Sequence, residues 1–154
     1  MVNVERVSPR EAKALMDAGY TYVDVRSEQE FDLGHPTGAV NVPFLRLGSG
    51  GLVPNAEFLA VMERAFRRDA KIVVGCRRGD RSLRAAQTLL AAGFEHVADQ
   101  RAGLDGVRSP FGAVLEAGWT AEGLPIERGA RPEATYDGIK AARASHLGEV
   151  RGAG

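Results

Sequence analysis

The sequence predicts an α/β fold: a mostly parallel five-stranded sheet with helices on both faces. Short strand-like runs alternate with helical runs along the chain. The runs at residues 20–25 (YTYVDV) and 71–75 (KIVVG) are rich in the β-branched and aromatic side chains of buried strands. Helix-start signals separate the strands. Ser8-Pro9-Arg10-Glu11 and Ser27-Glu28-Gln29-Glu30 both read as capping boxes, the first with proline at the first helical position.

The elements follow in order. Residues 3–7 form a weak strand. The helix after Ser8 carries an apolar stripe at Ala12, Leu15 and Met16 and ends at Gly19. Residues 20–25 are the second strand, Ser27 opens a short helical turn, and residues 38–42 lead into a third strand stopped at Pro43. Residues 46–54 (RLGSGGLVP) read as a glycine-rich loop. Asn55 caps the next helix, whose inner face is Phe58, Leu59, Met62 and Phe66. Residues 71–75 are the clearest strand. A helix over residues 82–92 places Leu83, Ala86, Leu89 and Leu90 on one side, and residues 95–98 make the fifth strand. Glycines at 103, 106, 112, 118 and 123 interrupt residues 101–129, where no element is assigned. We expect one domain over residues 1–129 and a tail over residues 130–154. The tail is expected to form a short helix near residues 133–146, docked modestly through Tyr136, Ile139 and Leu147, or to be frayed.

Composition narrows the function classes. The 154 residues, 44% hydrophobic and 26% charged, can build one core without disulfide staples. Lys+Arg and Asp+Glu both number 20, so the chain lacks the basic excess of a nucleic-acid binder. A single cysteine rules out an intramolecular disulfide or a thiolate metal cluster, and suits a reducing compartment. No run is long and apolar enough for a signal peptide or a membrane span. We expect a cytoplasmic protein with neither a nucleic-acid nor a membrane partner.

The informative segment is residues 71–90 (KIVVGCRRGDRSLRAAQTLL). A buried strand ends at Gly75, Cys76 follows, and after five more residues a helix begins near Ser82. A cysteine so placed lies at the carboxyl end of a parallel strand, where α/β sheets form ligand crevices. It also precedes a helix N-terminus, whose free backbone N–H groups can converge on an anion. Both features favour thiolate over thiol. Arg77, Arg78 and Arg81 add three guanidiniums suited to a dianionic ligand. Gly79 is expected at positive φ, which lets the loop curl into a cradle. A lone cysteine after a Val-Val strand is ordinarily an inert core residue. The three arginines and the glycine-bearing loop, which a structural cysteine does not need, point instead to a reactive one.

Residues 76–82 (CRRGDRS) resemble the active-site loop of the rhodanese superfamily, in which Cys-x-x-Gly-x-Arg-Ser is common. Residues 22–30 (YVDVRSEQE) with 34–43 (GHPTGAVNVP) look like that family's first block. Residues 89–97 (LLAAGFEHV) are similar to the segment after its active-site helix, and 118–129 (GWTAEGLPIERG) to the end of its domain. The four blocks span about residues 4–129 in the family's order.

The resemblance implies a ping-pong sulfurtransferase. Cys76 would be the nucleophile, taking the outer sulfur of thiosulfate as a persulfide, and Arg77, Arg78, Gly79, Asp80, Arg81 and Ser82 would form the substrate-binding loop. Within it, Arg81 is expected to turn inward and hold the loop, and Ser82 to cap the helix in preference to donating to sulfur. Asp24 and Arg26 would support the site through structural hydrogen bonds and ion pairs, and His35 would be structural. No metal or organic cofactor is implied. The acceptor must come from outside, because no second cysteine exists: cyanide, glutathione, thioredoxin or another protein thiol. Two departures stand out. Ala102-Gly103 replaces the usual glycine pair, and residues 107–117 (VRSPFGAVLEA) read as an insertion before Trp119.

Rival readings are weaker. A cysteine phosphatase or arsenate reductase loop has five residues between Cys and Arg, whereas Cys76 and Arg81 are separated by four. A mercaptopyruvate donor would favour smaller, less charged loop residues. A non-enzymatic binding or persulfide-carrier module is the main alternative, although many such binding modules lack the cysteine.

Overall fold

A computed structural model describes residues 3–142. The chain begins with β1 (Glu5–Val7), α1 (Pro9–Asp17), β2 (Thr21–Asp24) and α2 (Glu28–Leu33). Short strands β3 (His35–Pro36) and β4 (Val40–Asn41) precede a hairpin of β5 (Leu45–Gly48) and β6 (Gly51–Pro54). Then come α3 (Phe58–Ala65), β7 (Lys71–Gly75), α4 (Asp80–Ala91) and β8 (His96–Gln100). A second hairpin joins β9 (Val107–Arg108) to β10 (Val114–Glu116). The described chain closes with β11 (Ile126–Glu127), a 3₁₀ turn (Pro132–Ala134) and α5 (Tyr136–Ala141).

The central sheet has the expected five strands, in the order β1–β8–β7–β2–β4, and every pairing is parallel. Alternation along β7 assigns its side chains to two layers. Ile72 and Val74 meet Phe58, Met62, Ala86, Leu89 and Ile139 from α3, α4 and α5. Val73 faces the other way, onto Ala12, Tyr22, Phe31 and Trp119. Ile72, Val74 and Leu89 are each fully buried, worth roughly 1.5–3 kcal/mol apiece. Both expected capping boxes form: Ser8 with Glu11 opens α1, and Ser27 with Glu30 opens α2. They fix where two helices start and so where the strand ends point.

Several expectations are corrected. Residues 46–54, read as a loop, fall largely within the β5–β6 hairpin, because Ser49-Gly50 make a two-residue turn and let Gly48 pair with Gly51. Asn55 does not cap α3. Glu57 holds that position, while Asn55 accepts from the Glu57 N–H and donates to Pro43 O and to the Tyr136 hydroxyl. α4 starts at Asp80, two residues early, because Gly79 takes φ 99° and serves as its cap. Ser82 therefore lies inside the first turn instead of capping it. The segment left unassigned holds β9, β10 and β11. Tyr136 and Ile139 are fully buried in the main core, so α5 is part of the packing and docks more deeply than expected. Residues 143–146 of that expected helix, and Leu147, expected to help dock it, lie outside the described residues.

Candidate active site

Cys76 follows directly from β7, which is flanked in the sheet by β2 and β8. Three loop residues then turn the chain into α4. Gly79 makes the turn because its left-handed φ is costly for other residues, and because a Cβ there would lie 2.1 Å from the Arg101 carbonyl oxygen. The turn aims two main-chain donors at the sulfur. Gly79 N–H donates to Cys76 Sγ at 3.2 Å and Ser82 N–H at 3.3 Å. The Ser82 hydroxyl oxygen lies 3.4 Å from the sulfur and is fully buried. Convergent amides at a helix N-terminus stabilise a sulfur-centred anion. Cys76 is 3% exposed but lines a cleft of about 250 Å³, with Arg77, Arg78, Asp80 and Arg81 around it. The sulfur thus receives amides on one side, and Cys76 borders a cleft of small-ligand size.

The loop is braced from behind. Leu104 N–H donates to Cys76 O and Asp105 N–H to Arg77 O, both at 2.9 Å. Gly103 presses so close to the Arg77 carbonyl that a Cβ would come within 2.3 Å of its oxygen. Gln100 holds this bracing turn in place: its Oε1 accepts from Ala102 N–H at 2.9 Å and Gly103 N–H at 3.0 Å. Arg6 donates to Asp99 at 2.8 Å and to Gly79 O at 3.2 Å, which pins the cap from β1. Under the nucleophile, Gly75 leaves room for the Tyr22 hydroxyl, where a Cβ would sit within 1.8 Å. Burial pushes that phenol well above its usual range, so it stays neutral.

The three loop arginines divide their work. Arg81 turns inward onto Glu30, with hydrogen bonds of 2.7 and 3.0 Å. Arg77 donates to Asp105 at 2.6 Å. Arg78 has no carboxylate partner among the described residues and borders the cleft. Asp80, at the first position of α4, is exposed where a negative charge favours the helix end. Asp24 and Arg26 form a buried ion pair at 2.8 Å, and Asn41 donates to the carbonyls of both. His35 is buried, stacked on Phe31 at 3.7 Å, with its ring nitrogens near Phe31 O and Glu127. Sequence reasoning missed Glu30, Gln100, Tyr22 and Arg6 as supports of the loop. The sequence presents Glu30 only as half of a capping box.

Fold and site together define an α/β protein whose single cysteine sits in a main-chain cradle at the end of a central parallel strand. The pattern of the Rhodanese-like domain matches residues 8–109, and the chain belongs to that family. It is 39% identical over 121 residues to Senescence-associated protein DIN1 of Raphanus sativus, covering 79% of this chain and 60% of that protein. It is 38% identical over 121 residues to Thiosulfate sulfurtransferase 16, chloroplastic, of Arabidopsis thaliana, covering 79% of this chain and 91% of that one. The chain thus spans about 60% of the radish relative's length and most of the Arabidopsis relative's. Among solved structures, the crystal structure of Rv0390 from M. tuberculosis superimposes with a TM-score of 0.68 at 28% identity, over 83% of this chain and all of that one.

Proposed function

We propose that the protein is a thiosulfate sulfurtransferase working through a Cys76 persulfide. The thiolate attacks the outer sulfur of thiosulfate, the sulfur–sulfur bond breaks, and its electron pair leaves with sulfite. The sulfane sulfur stays on Cys76 as an anionic persulfide. A thiophile then takes that sulfur: cyanide leaves as thiocyanate, and a thiolate leaves as a new persulfide. In either case the Cys76 thiolate is restored. The cradle of Gly79 and Ser82 amides is the observation that carries this reading, because it stabilises negative charge on sulfur both before and after transfer. Arg78 supplies charge for the incoming dianion.

Intact-mass measurement after thiosulfate treatment tests the proposal. The wild-type protein should gain one sulfur and lose it on adding cyanide, and Cys76→Ser should gain none. A wild-type protein that acquires no sulfur while the same cysteine hydrolyses a phosphate ester would replace this reading with a phosphatase. Inertness in both assays would leave a binding module.

A further inference from the structure

The β9–β10 hairpin has no part in the sulfur chemistry proposed above, yet it stands beside the site and is hydrogen-bonded down to its tip. Ser109 N–H donates to Ala113 O at 2.8 Å and Gly112 N–H to Ser109 O at 2.9 Å. The Ser109 hydroxyl accepts from Ala113 N–H at 3.1 Å, and Arg108 donates to Gly112 O at 3.0 Å. Arg101 grips Glu116 at the base with bonds of 2.8 and 2.9 Å. On this hydrogen-bonded support Phe111 is 97% exposed, Leu115 67% and Val114 57%. Three large apolar side chains held in water over five residues are unfavourable unless something covers them.

Arg78 connects the hairpin to the nucleophile. It lines the cleft over Cys76 and also a groove of about 660 Å³ that runs along Leu104, Arg108, Ser109 and Pro110. Thiosulfate or cyanide needs only the small cleft, whereas the groove has room for a peptide segment. Neither Arg78 nor Arg108 has a carboxylate partner among the described residues, whereas Arg77, Arg81 and Arg101 each do. The acidic groups nearby are Asp105 and Glu116, already held by arginines, and the exposed Asp80. Arg78, and Arg108 with its bond to the Gly112 carbonyl, therefore carry positive charge that no described carboxylate offsets. A second copy of the chain cannot be the acceptor, since its only cysteine is equally enclosed.

We propose that the hairpin and groove dock an acidic, cysteine-bearing segment of an acceptor protein, and that this segment receives the sulfur. The inference rests on the sulfurtransferase reading. Phe111 at the hairpin tip, and Leu115 in an adjoining cleft that it shares with Arg78 and Glu116, would anchor the segment's apolar side chains while Arg78 and Arg108 meet its carboxylates. The acceptor thiolate attacks the terminal sulfur of the Cys76 persulfide. The bond between the two sulfurs breaks, its electron pair returns to Cys76, and the acceptor leaves as a persulfide. No external oxidant or reductant is consumed.

Protein loaded with thiosulfate and desalted tests this, offered three acceptors in turn: cyanide, the capped peptide Glu-Asp-Leu-Cys-Glu-Asp-Leu, and its counterpart with lysine at each acidic position. The acidic peptide should react about tenfold faster than the lysine peptide, a preference that shrinks with added salt. The double variant Phe111→Ser, Leu115→Ser should slow the acidic peptide about tenfold and leave cyanide turnover unchanged, which also shows that the variant is folded. Equal rates for the two peptides, or an unaltered peptide rate in the variant while cyanide still reacts, overturns the docking site and leaves the sulfurtransferase reading standing. Failure to load sulfur at all overturns both.

Discussion

Arg81 grips Glu30 through both ends of its guanidinium, at 2.7 and 3.0 Å, and so ties the first turn of α4 to the first turn of α2. The loop that cradles Cys76 leaves into that same turn of α4, so the pair sets where the cradle ends. Arg26 and Asp24 lie beside it as a buried pair of their own. The chain thus stabilises an electropositive loop by neutralising the charges it does not need for a ligand.

This pair predicts a pH dependence of stability. Burial pushes the Glu30 carboxyl up, but the hydrogen bonds and charge of Arg81, helped by Ser27, outweigh it and hold its pKa at about 2, against 4.5 ordinarily. A carboxyl with a depressed folded pKa binds its proton more readily in the unfolded chain. Its stabilisation is therefore complete above the unfolded value and is lost as pH falls through the folded one. Glu30→Gln should cost about 2 kcal/mol near neutral pH. It should also flatten the decline of stability between about pH 4.5 and pH 2. Urea denaturation across that window measures both, and parallel pH profiles for the two proteins would refute the assignment.

The arginines should separate kinetically. Arg77 is committed to Asp105 at 2.6 Å, and Arg78 is free at the cleft. Arg78→Ala should raise KM for thiosulfate about tenfold, with Arg77→Ala changing it several-fold less. Steady-state kinetics with thiosulfate varied and cyanide saturating give the comparison. An equal effect at both positions would mean that Arg77 releases Asp105 to bind the donor.

Gly79→Ala should disable the cradle. The added Cβ would meet the Arg101 carbonyl oxygen at 2.1 Å, on a backbone at φ 99°. Relief requires the loop to shift and carry the Gly79 amide off the sulfur. We expect a loss of at least about 2 kcal/mol in thermal or urea unfolding, together with loss of persulfide by mass. A variant with wild-type stability and full loading would show that the amide is dispensable.

Gln100→Leu tests the brace behind the loop. It removes the acceptor for the Ala102 and Gly103 N–H groups, both buried. Each orphaned donor costs about 1–3 kcal/mol. Stability should fall by about 2–6 kcal/mol for the two donors together, and kcat should fall with it, because residues 103–105 no longer hold the carbonyls of Cys76 and Arg77. A variant that unfolds more easily but transfers sulfur at the wild-type rate when folded would limit Gln100 to stability alone.

What the sequence determined by itself is what neighbours along the chain decide. Ser8 with Glu11 and Ser27 with Glu30 lie three residues apart, and both capping boxes form. The Val-Val run of β7, the positive φ of Gly79 and the placement of Cys76 before a helix N-terminus are likewise set within a few residues, so fold class and nucleophile were legible. Only the tertiary structure decided which distant group each loop side chain meets. Arg81 finds Glu30 across 51 positions, and Arg77 finds Asp105 across 28. Tyr136 and Ile139 bury themselves because α5 lands on α3 and β4. A capping box needs one local geometry, but the partner of a long, flexible arginine depends on what the folded sheet brings within reach. So the sequence showed three guanidiniums near a sulfur, and the fold left Arg78 as the one without a carboxylate among the described residues.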